Sequence, residues 1–470
     1  MEVLEIKLNE ISEEHTLRCD VKFHLSYTKL KRGGESLIQL CNLIKFRKNK
    51  PDLSSLDIIH IKYVEISNVQ SDGEVNLISL DKVDYPEFER LSKKINKGDI
   101  IKPEKKSILI NSVRPYLKKF VLIDDEIEDI YFTKAFIEIC SYIINPKLLY
   151  YLFKTLFLNK LVAISRQGMS YPTLNEKDFR YILIERNLLE KILKFQDKII
   201  KEIEKIEAKI KTEKQKIIPL QDVIDNVLIE YGVKSDKFKK GELEVFTSNT
   251  LSISKQNFLR CGVQYRAFWD VYDGLLFYGK TRYPIVKMDA LMRLHKTKTL
   301  KKGTLDKEYI LIELEDIEQR TGKILNMDRV VTEIGSDKIY FGDADLITTK
   351  LRPYLGYTIL NVPEFELIGT TELLPFKVDK DKVYPEYLKY ILLSNEYLEK
   401  SQFLMYGKEH PRIHPLDLLN IKIPLPPKDI QWKIISEIQE QEKINDKVKQ
   451  ELNDYRKQIN NLIFRYLTNH

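Results

Sequence analysis

The sequence predicts an α+β protein in which two tandem, mixed α/β modules are joined and spaced by two long, coiled-coil-forming helices. Two observations lead to this prediction. Two stretches rich in Lys and Glu carry isoleucine at helical spacing. The chain between them repeats several short patterns found near its start, in the same order. The predicted fold is therefore a pseudo-twofold internal repeat in which each module is followed by its own helix.

The first long helix is predicted between Leu188 and Ile217, and the second begins at about Ile434. Apolar residues in the first stretch alternate steps of three and four, a period near 3.5 that is typical of a coiled-coil seam. A stripe this narrow needs a partner, so we expect the two helices to pair. The residues predicted to form the pairing are Ile192, Ile199, Ile203, Ile206, Ile210, Ile438, Val448, Leu452 and Ile459.

The repeat consists of six short matches whose residue numbers differ by 238 to 248. The clearest is Arg-Pro-Tyr-Leu, at 114–117 and again at 352–355. A Gly-x3-Pro loop follows in both copies, at 168–172 and 407–411. One match could arise by chance, but six in the same order indicate a duplicated module. The repeat also argues against the alternative of two solvated helices packed on unrelated domains.

These patterns divide the chain into five parts. The predicted parts are a first module at 1–185, a helical spacer region at 186–232, a linker at 233–255, a second module at 256–426 and a C-terminal long helix at 427–470. Within the modules, short β-branched and aromatic runs separated by Asp, Gly and Pro predict a mostly β fold with few helices. The strand runs in the first module are Ile58–Val69, Ser107–Asn111, Lys119–Ile123 and Ile130–Glu138, and the helices expected in the two modules are Pro146–Asn159 and Pro385–Tyr397.

Composition excludes few classes of protein. The net charge is +7, from 77 basic and 70 acidic residues, which permits an anionic partner without requiring one. No apolar run reaches the length of a membrane span, and the N-terminus is acidic where a signal peptide would be apolar. The four cysteines form no CxxC pair and have no His at metal-ligand spacing. We therefore expect a cytoplasmic protein without membrane contact and without a metal site.

Motifs for catalysis are missing from the sequence. It contains no Asn-Pro-Pro-Tyr or Asp-Pro-Pro-Tyr segment of the kind used for amino-methyl transfer, and no glycine-rich cofactor loop after a strand. Residues Gly274–Thr281 match the phosphate-binding P-loop expression. That site needs a preceding strand, free backbone amides and a helix that begins at Lys-Thr. Here four bulky residues fill the loop and Tyr283-Pro284 follows, so we predict a surface hairpin instead.

The modules, the helices, the Arg-Pro-Tyr-Leu segments and the Gly-x3-Pro loops together resemble the specificity (S) subunit of Type I restriction-modification systems. The resemblance covers nearly the whole chain. It implies that each module is a target-recognition domain that reads one half of a split site in double-stranded DNA. It also implies that two methyltransferase subunits dock on the helices and that restriction subunits join through the complex. The chain itself would be non-catalytic and hold no cofactor, while S-adenosylmethionine, ATP and Mg²⁺ act in the partner subunits.

The repeated arginines Arg114 and Arg352 have two interpretations. A guanidinium fork suits phosphate, which would give a contact independent of DNA sequence. Alternatively the segment is a structural turn with a buried Tyr and Leu and with Arg paired to a carboxylate. Further candidate phosphate contacts are Lys118, Lys119 and Lys350.

Side chains that read bases should differ between the copies, because two half-sites seldom share a sequence. The loops before the last strand of each module meet this test and carry side chains suited to base edges. An ordinary polar loop is the alternative for any one residue. The candidate base-reading residues are Arg166, Gln167, Ser170, Tyr171, Lys408, His410 and Arg412.

The leading hypothesis is therefore a non-catalytic DNA-recognition subunit of a Type I enzyme. One alternative is the specificity subunit of a related system that combines methylation and cleavage in one partner. The other is a coiled-coil scaffold for proteins that does not bind DNA.

Overall fold

The structure is a computed structural model. It describes residues 37–47, 51–52, 54, 56–83, 85–125, 129–141, 143–167, 171–235, 262–407 and 410–468. The first copy of the earliest repeated match, at 18–23, lies outside the described residues, as does most of the predicted linker 233–255.

The chain divides into two compact units, each built around one module. The first unit comprises residues 1–212 and 451–470, and the second comprises residues 213–450. Each unit therefore contains helical segments from two separate parts of the sequence. The predicted boundaries followed the order of the chain, whereas this division follows packing.

In the first unit, the central sheet has the strand order β2-β8-β5-β6 with antiparallel neighbours. A second sheet has the order β4-β3-β7 and contains one parallel pair, β3 with β7. Strand β1 pairs with β11, the last strand of the module. The strands are β1 Leu37–Gln39, β2 Ile44–Arg47, β3 Lys62–Val64, β4 Ile78–Ser79, β5 Ser107–Asn111, β6 Val121–Ile123, β7 Ile130–Phe132, β8 Phe136–Ser141, β9 Arg166–Gln167, β10 Pro172–Thr173 and β11 Leu183–Glu185. The helices are α1 Tyr85–Asn96, α2 Pro146–Lys154, α3 Leu158–Ile164 and α4 Arg186–Lys214.

In the second unit, the central sheet has the order β13-β23-β20-β21, and a larger sheet has the order β14-β19-β22-β15-β18. The helices are α5 Leu220–Glu230, α6 Val263–Arg266, α7 Pro385–Leu393, α8 Asn395–Leu404, α9 Pro415–Asn420 and α10 Lys428–Leu467, of which α10 ends in the first unit. The strands are β12 Ile285–Lys287, β13 Met292–Leu294, β14 Thr299–Leu300, β15 Gly303–Ile312, β16 Ile317–Glu318, β17 Lys323–Ile324, β18 Val330–Ile334, β19 Lys338–Tyr340, β20 Leu346–Thr349, β21 Thr358–Leu360, β22 Leu367–Thr370, β23 Leu373–Val378, β24 Met405–Tyr406, β25 Arg412–Ile413 and β26 Lys422–Pro424.

The internal repeat is confirmed strand by strand. The central sheets β2-β8-β5-β6 and β13-β23-β20-β21 have the same order. The opening and closing strands pair antiparallel in both copies, β1 with β11 and β12 with β26. The parallel pair β3–β7 recurs as β15–β22. The α+β fold with tandem modules is therefore confirmed. Its copies differ chiefly in the longer β15 and its partner β18, which enlarge the second sheet.

Helices α2 and α7 occupy equivalent places and begin as the sequence predicts. Each has proline at its first position, where the missing N–H costs nothing. The predicted stretches Pro146–Asn159 and Pro385–Tyr397 each end early, and a second helix, α3 or α8, follows. The run Ile130–Glu138 also divides, because a turn at Thr133, whose carbonyl accepts from the Phe136 N–H, separates β7 from β8.

The long helices pair within the first unit. The contacts run antiparallel, since Phe195 meets Tyr466 at a ring separation of 5.7 Å while Lys209 lies over the ring of Tyr455 at 5.9 Å. Of the residues predicted to form the pairing, Ile192, Ile199, Ile203 and Ile459 are buried in one core, and Ile206 and Ile210 pack against it. Val448 and Leu452 are also buried. Ile438 lies in the core of the second unit, with Ile224 and Leu228 of α5.

The prediction of a surface hairpin at Gly274–Thr281 was wrong. Leu276 and Phe277 are buried in the core of the second unit, and Leu275 forms a single parallel bridge with Lys422. No helix begins at Lys280, and the next regular element in this described segment is strand β12. The apolar residues of the motif therefore pack in the core. The segment does not have the geometry of a P-loop.

Candidate nucleic-acid interface

Each module presents its Arg-Pro-Tyr-Leu segment as a tight turn between two strands of the central sheet. Arg114 and Arg352 have φ values of 52° and 46°, in the left-handed region. A short 3₁₀ turn begins at the following proline, and the residue after it, Lys118 or Gly356, is again left-handed. Few residues other than glycine adopt this conformation, and it persists only where the surrounding structure imposes it.

The turn is held against the loop that precedes the last strand of the module. The backbone N–H of Arg114 donates to the carbonyl of Pro172 at 2.8 Å, and that of Arg352 donates to Pro411 at 2.9 Å. Single bridges, Val113 with Thr173 and Leu351 with Arg412, continue the contact. The structure thus brings together the two segments in which the sequence placed its candidate residues, and it does so in both copies.

Apolar and cationic groups share the exposed surface of the first turn. The Arg114 side chain is exposed, and its guanidinium lies 5.4 Å from the centre of the Tyr171 ring. Tyr116, Leu117 and Tyr171 are 46%, 37% and 44% exposed. Within the described residues, no carboxylate lies at ion-pair distance from Arg114. The alternative of a structural turn with buried Tyr and Leu therefore does not describe the first module.

Arg166 is held by a buried carboxylate. Its Nε and Nη2 donate to Asp178 Oδ1 at 3.2 and 3.1 Å, and Asp178 is fully buried. Asp178 Oδ2 accepts from the backbone N–H of Asn175 and closes a capping box at the start of the Glu176–Tyr181 turn. Arg166 therefore has a structural partner, and its assignment to base reading stays a prediction.

Arg412 has a comparable partner in the second module. Its Nε and Nη2 donate to the two oxygens of Glu372 at 2.9 and 2.7 Å, and its Nη1 donates to the carbonyl of His410. The hydrogen bonds from Arg412 hold the pKa of Glu372 below its usual range, with help from the positive charge of Lys350. Three candidate residues thus surround one carboxylate that the sequence analysis did not single out.

The remaining candidates occupy mixed positions. Lys119 donates to the carbonyl of Ile66 at 3.1 Å, and burial lowers its pKa. Gln167 lies in β9, which pairs with β10, but its side chain is outside the described part of the structure, as are Ser170 and Lys408.

Sequence reasoning missed Asp178, Glu372, Tyr116 and Leu117. A signal existed for Asp178, since Asn175 and Asp178 have the spacing of a capping box. None existed for Glu372, because it is 40 residues from Arg412 in the sequence. The exposure of Tyr116 and Leu117 follows from the orientation of the turn.

The described residues contain no cluster of three or more His, Cys, Asp or Glu side chains placed to hold a metal ion. Among the helices of these same segments, none is both long and apolar enough to cross a membrane.

The chain is similar to three solved structures that involve restriction-modification proteins. One concerns complex assembly and conformational transition of the type I R-M system, with 14% identity over 92% of this chain and 97% of that chain and a TM-score of 0.41. The HsdS subunit from Thermoanaerobacter tengcongensis has 14% identity, coverage of 92% and 96%, and a TM-score of 0.31. The type I restriction-modification system S subunit from M. genitalium has 13% identity, coverage of 93% and 98%, and a TM-score of 0.38. No protein-family model matches the sequence, and a comparison with curated proteins gives no match.

Proposed function

We propose that this chain is the sequence-specific DNA-recognition subunit of a Type I restriction-modification enzyme. Each module binds one half of a bipartite site in double-stranded DNA. The helices dock two methyltransferase subunits, and restriction subunits join through the complex. The chain itself performs no catalysis, and S-adenosylmethionine, ATP and Mg²⁺ act in the partner subunits.

The observation that carries this proposal is the recurrence of one left-handed turn, which begins with arginine in both modules, beside a diverged loop. The Arg-Pro-Tyr-Leu turn has the same backbone conformation and the same anchoring bond in both modules. The loop bonded to it differs in sequence between the copies. A shared cationic turn suits phosphate, which is the same in every half-site, and a variable loop suits bases, which are not.

The surface of the first turn supports the same proposal. Arg114 provides charge, while Tyr171, Tyr116 and Leu117 provide exposed aromatic and apolar surface. Such a combination can contact a phosphate and, beside it, sugars or thymine methyl groups.

Binding of the full chain to duplex DNA of random sequence tests the proposal first. We expect binding that weakens as salt rises, because phosphate contacts release counterions. The chain alone should transfer no methyl group from labelled S-adenosylmethionine and should cut no DNA. Methyl transfer by the pure chain, or no DNA binding even with the methyltransferase subunits present, would contradict the proposal.

Methylome sequencing of a strain that carries the gene and its partners tests the assignment of the loops. Replacing Gln167 should relax one position of the first half-site, and replacing Lys408 one position of the second, each at a cost of about 1–3 kcal/mol. Replacing Arg114 should instead weaken binding to all sequences alike. An unchanged methylated motif after alanine replacement of either loop would refute the assignment.

A further inference from the structure

The two long helices repeat each other near their starts, with residue numbers that differ by 235. The shared pattern is Gln-x-Lys-Ile-Ile-x-Glu-Ile-x3-Glu, at 196–207 in α4 and at 431–442 in α10. All six isoleucines are buried, and each set belongs to the core of its own unit. The first and last residues of the pattern are polar, so hydrophobic packing does not explain why they are shared.

The shared glutamine binds the start of a module helix. The backbone N–H of Asn145 donates a hydrogen bond to Gln196 Oε1, and that of Tyr384 donates one to Gln431 Oε1. The distance from N to Oε1 is 3.0 Å in both cases. Asn145 and Tyr384 immediately precede α2 and α7. The first N–H groups of a helix have no partner within the helix, so the glutamine satisfies a donor that is otherwise left over.

The shared glutamate binds the same module helix further along. The hydroxyl of Tyr151 in α2 donates to Glu207 Oε1 at 2.8 Å, and that of Tyr390 in α7 donates to Glu442 Oε2 at 2.6 Å. Burial raises the pKa of both tyrosines, so the hydroxyls keep the protons they donate.

A lysine accompanies each of these glutamates. Lys147 Nζ lies 3.1 Å from Glu207, and Lys389 Nζ lies 3.9 Å from Glu442. Each long helix therefore holds its module helix at two points, through a backbone N–H and a tyrosine hydroxyl, and the arrangement is the same in both units.

These hydrogen bonds fix the orientation of the module helix, which packing of the isoleucines alone cannot do. Apolar packing is largely non-directional and permits small rotations, whereas a hydrogen bond weakens steeply with misalignment. Two bonds at separate points on α2 or α7 fix both the rotation and the tilt of that helix. The central sheet of the module packs on α2 or α7 within the same core. The orientation of that helix therefore sets the position of the sheet.

We propose that Gln196 and Glu207, and likewise Gln431 and Glu442, are positioning residues that orient each recognition module on its long helix so that its loops meet one half-site in register. The inference rests on the proposed function and deepens it. These four side chains act through the module helix they hold and not through contact with DNA.

The test compares two double variants of the full chain, Gln196→Ala with Glu207→Ala and Gln431→Ala with Glu442→Ala. The probes are duplexes carrying the methylated motif of the host strain, the same motif mismatched in one half-site or the other, and random sequence. We expect the first variant to lose roughly tenfold in preference for the intact over the mismatched first half-site, while discrimination at the second half-site is kept. The second variant should show the opposite pattern.

A loss of stability alone gives a different result. It lowers the fraction of active chain equally for every probe and leaves the ratios between probes unchanged. The conservative variants Gln196→Glu and Glu207→Gln keep an acceptor oxygen and should retain the preference. If a double variant does not fold, Tyr151→Phe and Tyr390→Phe can replace it, because each removes one hydroxyl. Each should give a smaller loss of preference, confined to the same half-site.

The outcomes separate the inference from the proposed function. If the unchanged chain and its partners show no sequence preference, the proposed function falls and the inference falls with it. If the unchanged chain discriminates both half-sites and the variants keep that discrimination in full, the proposed function stands and the inference is overturned. Equal loss at both half-sites in either variant also overturns it.

Discussion

At the scale of single residues, the Arg-Pro-Tyr-Leu turn shows how a local strain is shared by two copies. Arg114 and Arg352 are left-handed where the strand ends and a 3₁₀ turn begins at the following proline, although a residue before proline ordinarily favours an extended backbone. The bond from each arginine N–H to a proline carbonyl of the neighbouring loop offsets part of the cost. The guanidinium is then carried by a rigid backbone.

A first prediction concerns Arg166 and its buried partner Asp178. Arg166→Ala leaves the carboxylate with its backbone bond but without the guanidinium, so we expect the free energy of unfolding to fall by about 1–3 kcal/mol. Urea denaturation measures the change. Arg166→Ala combined with Asp178→Asn should cost less than the sum of the single changes, because the two groups form one contact.

If the cost of the double change equals the sum of the two single changes, the contact between the two side chains adds nothing to stability. If Arg166→Ala also leaves stability unchanged while altering the first half-site, base reading is its main role.

A second prediction concerns pH and the Arg412–Glu372 pair. The hydrogen bonds from Arg412 depress the pKa of Glu372 in the folded chain, so the stabilisation is present above the unfolded pKa of about 4.3 and is lost as pH falls through the folded pKa. Arg412→Ala should therefore destabilise the chain at neutral pH and make little difference in acid. Denaturation at a series of pH values measures this.

Glu372→Gln is the matched control, since glutamine cannot titrate. It should flatten the dependence of stability on pH in the acidic range where Glu372 is protonated. The assignment would be contradicted if the difference in free energy of unfolding between the unchanged chain and Arg412→Ala grew as pH falls.

At the scale of elements, the seam between α4 and the end of α10 carries much of the first core. Ile203 and Ile459 are buried in the same cluster, with 0% and 2% exposure. The sequence predicted both from spacing alone, because a buried stripe on a helix needs only local periodicity. The polar contacts beside the seam, such as Glu202 with the Tyr466 hydroxyl at 2.6 Å, join residues far apart in sequence.

A third prediction tests this seam. Ile203→Ala should lower the free energy of unfolding by about 2–5 kcal/mol, because it removes buried methyl groups and leaves a cavity. Leu193→Ala, on an exposed position of the same helix, should change it by no more than about 0.5 kcal/mol. Equal effects of the two substitutions in urea denaturation would refute the packing described here.

At the scale of the whole molecule, the same construction is used twice. Each unit combines a module, the start of one long helix and a second helical segment, and the residues come from distant parts of the chain. Tyr231 and Tyr466, which also differ by 235 in number, both meet a glutamate of the shared helical pattern. The duplication therefore includes the helices as well as the modules.

A fourth prediction concerns the helices as the element that spaces the two half-sites. Four residues inserted after Ile210 add about one helical turn, or roughly 6 Å, and DNA rises about 3.4 Å per base pair. The methylated motif should keep its bases and gain one or two base pairs of spacer. Methylome sequencing of a strain with the insertion measures this. Altered bases, or full activity with an unchanged spacer, would contradict the role of the helices.

The sequence by itself determined the α+β class, the duplication of the module and the long helices, because order and periodicity are properties of neighbouring residues. It also contained the Gln-x-Lys-Ile-Ile pattern at 196 and 431, which a comparison of the helices with each other would have found. The tertiary structure alone decided which charges meet, as Arg166 meets Asp178 and Arg412 meets Glu372. It also buried the P-loop-like segment, through Leu276 and Phe277. Such pairings depend on how strands and turns are brought together in space, and no local pattern in the chain records that arrangement.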